Sequence, residues 1–191
     1  KLLDFGIAKL IGNESDGLTH TGLKPLTPNY AAPEQLDGGT ITTSTDVFSL
    51  GLVLYELLCG IKAQTWDGSM QHAVVATEPP SLAMKRAGKK TANAAGKANL
   101  AAIAEKRATG PEALVKAIQG DLDTIALYAL QLEPHRRYPT VSELNDDLNR
   151  WRQYVPIKAR KDALPYRCGK FLRRHRTATL SASIIAMILI A

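Results

Sequence analysis

The stretch that most constrains this chain is Thr43 to Cys59, TSTDVFSLGLVLYELLC. Mapped at ~100° per residue, its apolar side chains surround most of a helix, and such a helix is buried or spans a membrane. Seventeen residues that include Asp46 and Glu56 make a poor span, for which about 20 apolar residues are needed. The expectation is a central helix wrapped by a globular domain. Thr43, Ser44 or Thr45 supplies an N-terminal cap, and Gly60 suits a left-handed stop. Asp46 falls in the first turn, where the helix dipole favours a carboxylate and backbone N–H groups can be accepted. The plainer reading of Asp46 is a simple N-terminal charge.

Charge divides the 191 residues unevenly. Net charge is +6, yet residues 150–176 carry ten Lys/Arg against Asp162 alone. Residues 85–107 carry seven against Glu105, so the remainder is acidic. A weakly acidic globule with two basic segments differs from a uniformly basic nucleic-acid binder. Cys59 and Cys168 form no disulfide or zinc pattern, which fits a reducing setting. No signal-peptide pattern is expected within these residues. The chain opens without Met in an expected strand and closes in an apolar run, so it is expected to be a fragment.

Taken in order, Lys1–Lys9 reads as two short strands around a turn at Asp4-Phe5-Gly6. Residues 10–26 are polar and rich in Gly, Ser and Thr, the composition of a loop. Thr27-Pro28-Asn29-Tyr30-Ala31-Ala32-Pro33-Glu34 follows, and then Asp46-Val47-Phe48-Ser49-Leu50-Gly51 on the central helix. Residues 65–77 read as a short helix before a loop ending at Pro79-Pro80. Residues 83–109, rich in Ala, Lys and Gly, read as a solvated insert with helix near Leu100–Arg107. No aromatic residue interleaves its charges, so nucleic acid is not expected as a partner. Asp121 is expected to cap a helix over Leu122–Leu132. Thr140-Val141-Ser142-Glu143 is a capping box for a last helix with the core stripe Val141, Leu144, Leu148 and Trp151.

Asp-Phe-Gly, a loop, Thr-x-x-Tyr-x-Ala-Pro-Glu, then Asp-x-aromatic-Ser-x-Gly on a buried helix resembles a eukaryotic-type protein kinase. Glu133-Pro134-His135-Arg136-Arg137-Tyr138-Pro139-Thr140 is similar to the family segment whose Arg pairs with the Ala-Pro-Glu glutamate. Gly120-Asp121-Leu122-Asp123, the basic segment and the apolar run resemble the membrane-anchored bacterial serine/threonine type. The chain departs from the pattern at Leu26, where Gly is frequent, and at Phe48, where Trp or Tyr is usual.

This resemblance implies a mainly α fold: the C-terminal lobe of a kinase from the magnesium loop onward, with a short N-terminal β segment. It covers residues 1–153; a basic juxtamembrane linker, 154–176, and a truncated transmembrane helix, 177–191, would follow. Asp4 would hold Mg²⁺ for the ATP phosphates, Phe5 would pack between lobes, and Gly6 would allow the turn. Ser15, Thr19 and Thr21 would be phosphorylation candidates in the activation loop. Thr27 would contact the catalytic loop, and Tyr30 would build the platform for the acceptor peptide. Glu34 and Arg137 would form a buried ion pair, and Asp46 would hold the catalytic loop from below.

The implied activity is transfer of the γ-phosphoryl group of ATP to serine or threonine of protein substrates, with a homodimer serving autophosphorylation. No glycine-rich loop, strand lysine or catalytic-loop Asp and Asn is present. The 191-residue chain by itself is therefore expected to be inactive. The alternatives are a pseudokinase scaffold, which would keep the lobe without chemistry, and an unrelated membrane-anchored helical adaptor. Residues 177–191 carry no charge and follow a basic flank, so a membrane helix with its N-terminal side in the cytosol is expected, the alternative being a buried C-terminal helix. The resemblance then implies a single-pass protein of a bacterial inner membrane with the kinase portion cytoplasmic. Cys168, near that membrane, is a weak acylation candidate.

Overall fold

The computed structural model describes residues 28–66, 73–75, 78–90, 94–160, 163–175 and 181. A short helix, α1 (Pro33–Leu36), leads into α2 (Thr43–Cys59), the expected central helix with the expected bounds. Its N-cap is Thr42 rather than one of the three residues after it: Thr42 N–H donates to Thr45 Oγ1 at 3.0 Å, closing the first turn. Gly60 ends it at φ 72°. A side chain there would be strained, and its Cβ would stand 2.6 Å from Ile103 Cδ1.

Val47, Phe48, Leu52, Tyr55 and Cys59 of α2 are buried. The chain continues through strands β1 (Gln64–Trp66) and β2 (Ala73–Val75), paired antiparallel with Gln64 opposite Val75. The helix expected over 65–77 is therefore corrected to a small hairpin. Its Thr, Trp and Val residues favour an extended backbone and lack a helical stripe.

Helices α3 (Pro80–Lys90) and α4 (Ala94–Glu105) then occupy most of the expected solvated insert. Pro80 is tolerated at the first helical position, where its missing N–H costs nothing. Asp123, from further along the chain, accepts Ser81 N–H at 2.9 Å and Ser81 Oγ–H at 2.6 Å, so the N-terminus of α3 is capped from outside. Ala83, Met84 and Ala104 enter the core beside α2, while Lys85 and Arg86 stay exposed. Arg107 donates to the carbonyls of Leu57 and Leu58, the latter at 2.6 Å, satisfying the C-terminal end of α2.

Helix α5 (Pro111–Ile118) contributes Leu114, Val115 and Ile118 to the same core. Helix α6 (Asp121–Ala129) is shorter than expected and is capped by Gly120, not Asp121; Asp123 accepts Gly120 N–H at 3.3 Å. It crosses α2 at Gly51, where a Cβ would meet Ala129 Cβ at 2.9 Å, so glycine permits the close approach. Helix α7 (Val141–Arg152) is capped by Thr140 Oγ1, which accepts Glu143 N–H at 3.3 Å. Of its expected core stripe, Leu144 is buried, Leu148 and Trp151 are half-buried, and Val141 is exposed.

The segment expected as a linker packs on the lobe. Asp147, fully buried, accepts Tyr138 O–H at 2.9 Å and the N–H groups of Lys158 and Ala159 at 2.7 and 2.9 Å. Ile157 is buried beneath them. Helix α8 (Leu164–Arg174) follows. Tyr166 O–H donates to Asp121 Oδ2 at 3.1 Å and accepts Ile157 N–H at 3.1 Å; Lys170 and Arg160 pair with the same carboxylate. Among the described residues no helix is long and apolar enough to cross a membrane. The expected span, 177–191, lies outside the described residues apart from Ser181, as does the expected strand segment 1–9.

Candidate functional site

The described site is a short segment, Tyr30 to Glu34, fastened to α2 from several directions. Ser49 Oγ donates to Tyr30 O at 2.9 Å, and Gln64 Nε2 to Ala31 O at 3.2 Å. Ala32 N–H donates to Gln35 Oε1 at 2.8 Å. Tyr30 O–H donates to Glu56 Oε2 at 2.7 Å; that carboxylate bond, more than burial, raises the phenol's pKa. The backbone groups of this segment are thereby paired by side chains instead of by regular secondary structure.

Glu34 anchors the segment. Arg137 donates to Glu34 Oε1 at 2.7 Å and to Oε2 at 2.9 Å, a bidentate pair joining residues 103 apart. Thr45 Oγ1–H adds a bond to Oε1 at 2.8 Å. Burial pushes the Glu34 carboxyl up, but the hydrogen bonds from Arg137 and Thr45, together with the arginine's charge, outweigh it and hold the carboxyl below its ordinary value. Arg137, 1 % exposed, spends its other N–H bonds on carbonyls: Gln131 at 2.6 Å, Leu132 at 2.8 Å and Ser44 at 3.0 Å. Its guanidinium lies over the Phe48 ring at 4.7 Å from the centroid. The aromatic residue of the helix motif is thus a floor for the arginine, a role that Phe fills without a polar atom.

Glu34 and Arg137 form the expected pair, while Tyr30, on the same segment, bonds to Glu56 and Ser49. Asp46 is half-buried in the first turn of α2; the catalytic loop that it is expected to hold is not among the described residues. Thr45, Ser49 and Glu56 were missed by the sequence reasoning. Their signal was positional: each faces the Tyr30–Glu34 segment from one side of α2. Asp4, Phe5, Gly6, Ser15, Thr19, Thr21 and Thr27 lie outside the described residues. Among the described residues no group of three His, Cys, Asp or Glu side chains is placed to hold a metal.

A family model described as the protein kinase domain matches residues 1–145. The chain belongs to the protein kinase family. The kinase chain is 31% identical over 161 residues, 84% of its length, to the serine/threonine-protein kinase PknB of Mycobacterium tuberculosis, covering 21% of that protein. It is 31% identical over 129 residues, 65% of its length, to the serine/threonine-protein kinase pkn3 of Myxococcus xanthus, covering 23% of it. It is also 42% identical over 84 residues, 43% of its length, to a serine/threonine-protein kinase, drp72, of Corynebacterium efficiens, covering 16% of it. The chain spans about a fifth of the length of the curated relatives it matches. The resemblance to bacterial eukaryotic-type serine/threonine kinases therefore stands, and Glu34 and Arg137 are the pair that the family pattern joins.

Proposed function

We propose that this chain is the activation segment and C-terminal lobe of a serine/threonine kinase, which moves the γ-phosphoryl group of ATP onto serine or threonine of protein substrates. The observation that carries the reading is the bidentate Glu34–Arg137 pair, which fixes the Tyr30–Glu34 segment against α2. Phosphoryl transfer is mainly positioning and charge neutralisation. The described residues supply positioning: a rigid platform, with Tyr30 at its edge, on which an acceptor peptide rests.

Mg²⁺ is assigned to Asp4 by the resemblance, and a carboxylate suits that hard cation; when bound, it would neutralise charge on the ATP phosphates. No metal site is built from the described residues, and no step is routed through one. Thr27 would contact the catalytic loop, with Asp46 beneath it. Thr19 and Thr21 would be phosphorylated within a homodimer, and Ser15 is the third candidate. The uncharged run 177–191 would anchor the longer protein in the inner membrane, with the lobe on the cytoplasmic side.

The test uses the longer protein that contains this chain. It should phosphorylate serine or threonine in the presence of Mg²⁺ and ATP, including Thr19 or Thr21. Asp4→Asn should abolish transfer with the fold intact, while the 191-residue chain alone transfers nothing above background. A fully active Asp4→Asn variant would overturn the metal assignment. A silent wild-type parent that still binds a partner through this lobe would make it a scaffold.

A further inference from the structure

Helix α8 has two unlike faces. Tyr166 and Lys170 point to the lobe and meet Asp121. On the opposite side, Leu164, Cys168, Phe171 and Leu172 fall within an arc of ~100°. Those side chains meet solvent: Leu164 is 77% exposed, Phe171 56% and Leu172 53%, and Cys168 is exposed. The helix, LPYRCGKFLRR, carries no acidic residue, and Arg167, Arg173 and Arg174 are exposed on it.

We propose that α8 is an interfacial helix that lays this apolar face into the surface of an anionic phospholipid bilayer. Charge decides the occupant. An apolar stripe bordered along one edge by Arg167 and Arg174 suits a surface whose outer layer is negative and whose next layer is hydrocarbon. Cations continue away from the helix: a cleft of about 730 Å³ between α8 and the lobe has Lys116, Arg152 and Arg160 on the lobe's side, against Asp121. Past α8 the sequence enters the uncharged run 177–191, so the chain is near apolar sequence at the helix's carboxyl end.

The clamp on Asp121 makes the helix ready to bind. Peptides that fold on a membrane spend part of their binding free energy on ordering. Here the lobe already orders α8, with Arg160 stacked at 4.5 Å on the Tyr166 ring to fix the ring's position. Docking would also orient the lobe, because α8 is held to the first turn of α6 through Asp121. The proposal does not need 177–191 to span the bilayer.

The full chain can be tested with one probe. Cys59 is buried and burial pushes its thiol up to about 11, so an environment-sensitive thiol dye at near-neutral pH marks Cys168. The labelled protein is mixed with phosphatidylcholine vesicles, with or without one part in three of phosphatidylglycerol, and followed by flotation and dye emission. We expect a blue shift with the anionic vesicles only. It should be lost in Phe171→Ser/Leu172→Ser, and Arg167→Gln/Arg173→Gln/Arg174→Gln should weaken docking on the order of 100-fold.

Protein that floats with both vesicle types while the dye stays in water would overturn the proposal but leave the membrane anchor standing. Failure to float with either would overturn both. An equal shift on both vesicle types would remove the role of charge, and a shifted dye before any vesicle is added would mean that the chain covers its own helix; either result overturns the proposal.

Discussion

Two carboxylates hold distant parts of this molecule together, and they do it differently. Glu34 meets Arg137 where the arginine side chain is fully buried and the glutamate's is 10% exposed. Asp121 is equally buried, at 7%, but its partners reach outward: the Arg160 side chain is 46% exposed and that of Lys170 12%. In the first case neither charge can return to water without unfolding. In the second, the half-exposed Arg160 can swing into solvent, while Lys170 is mostly covered. The same pair of charge types therefore makes a permanent joint beneath the platform and a releasable one beneath α8. Burial of the cation, more than of the carboxylate, separates them.

The most severe way to test that contrast is Arg137→Ala. It leaves Glu34 charged without its partner and strands three carbonyls, so a loss of about 3–5 kcal/mol is expected in denaturant unfolding. A loss near that of a surface pair would erase the difference between the joints. Next comes Asp147→Ala, which strips partners from the Tyr138 hydroxyl and two backbone N–H groups. About 2–3 kcal/mol should be lost, and residues 157–160 should exchange amide hydrogens faster. A change confined to exchange, with no shift in midpoint, would group Asp147 with the releasable joint.

Acid gives a smaller effect with a definite sign. The folded pKa of Glu34 is lowered, so its contribution is fully present above its unfolded value, roughly 4.3, and is lost as pH falls through the lower folded value. Comparing the acid limb of the stability curve with that of Glu34→Gln isolates this contribution; coincident limbs would mean that the pair carries no linked proton. The mildest change is Asp121→Asn. Global stability should move by less than about 1 kcal/mol, while residues 164–174 lose exchange protection. Salt near 1 M, where the screening length is about 3 Å, should loosen α8 in the same way and leave Arg137 in place.

How much of this was legible depended on range. Helix α2 was readable to the residue because its apolar periodicity, threonine-rich start and terminal glycine agree, although Thr42 took the cap. The Glu34–Arg137 pair spans 103 residues and was reached only through the motif pattern that the two segments carry. The hairpin at Gln64–Trp66 and Ala73–Val75 was misread because three-residue strands are too short to show alternation. The insert was read as solvated because its composition is basic and alanine-rich. Its small side chains, Ala83 and Ala104, are what let α3 and α4 approach the core. Nothing local marks Asp123 as the cap of α3 or Asp121 as the seat of α8. Both are contacts between elements, and a single sequence shows only that a carboxylate is available.

Arg137 has five N–H bonds and five acceptors, so its donor set is saturated. It therefore has nothing to offer an incoming dianion. If Thr19 or Thr21 becomes phosphorylated, the new group must find its receiver among other cations, because recruiting Arg137 would open bonds that hold the platform. Were either threonine phosphorylated, receiving the phosphate and supporting the Tyr30–Glu34 segment would then fall on separate residues.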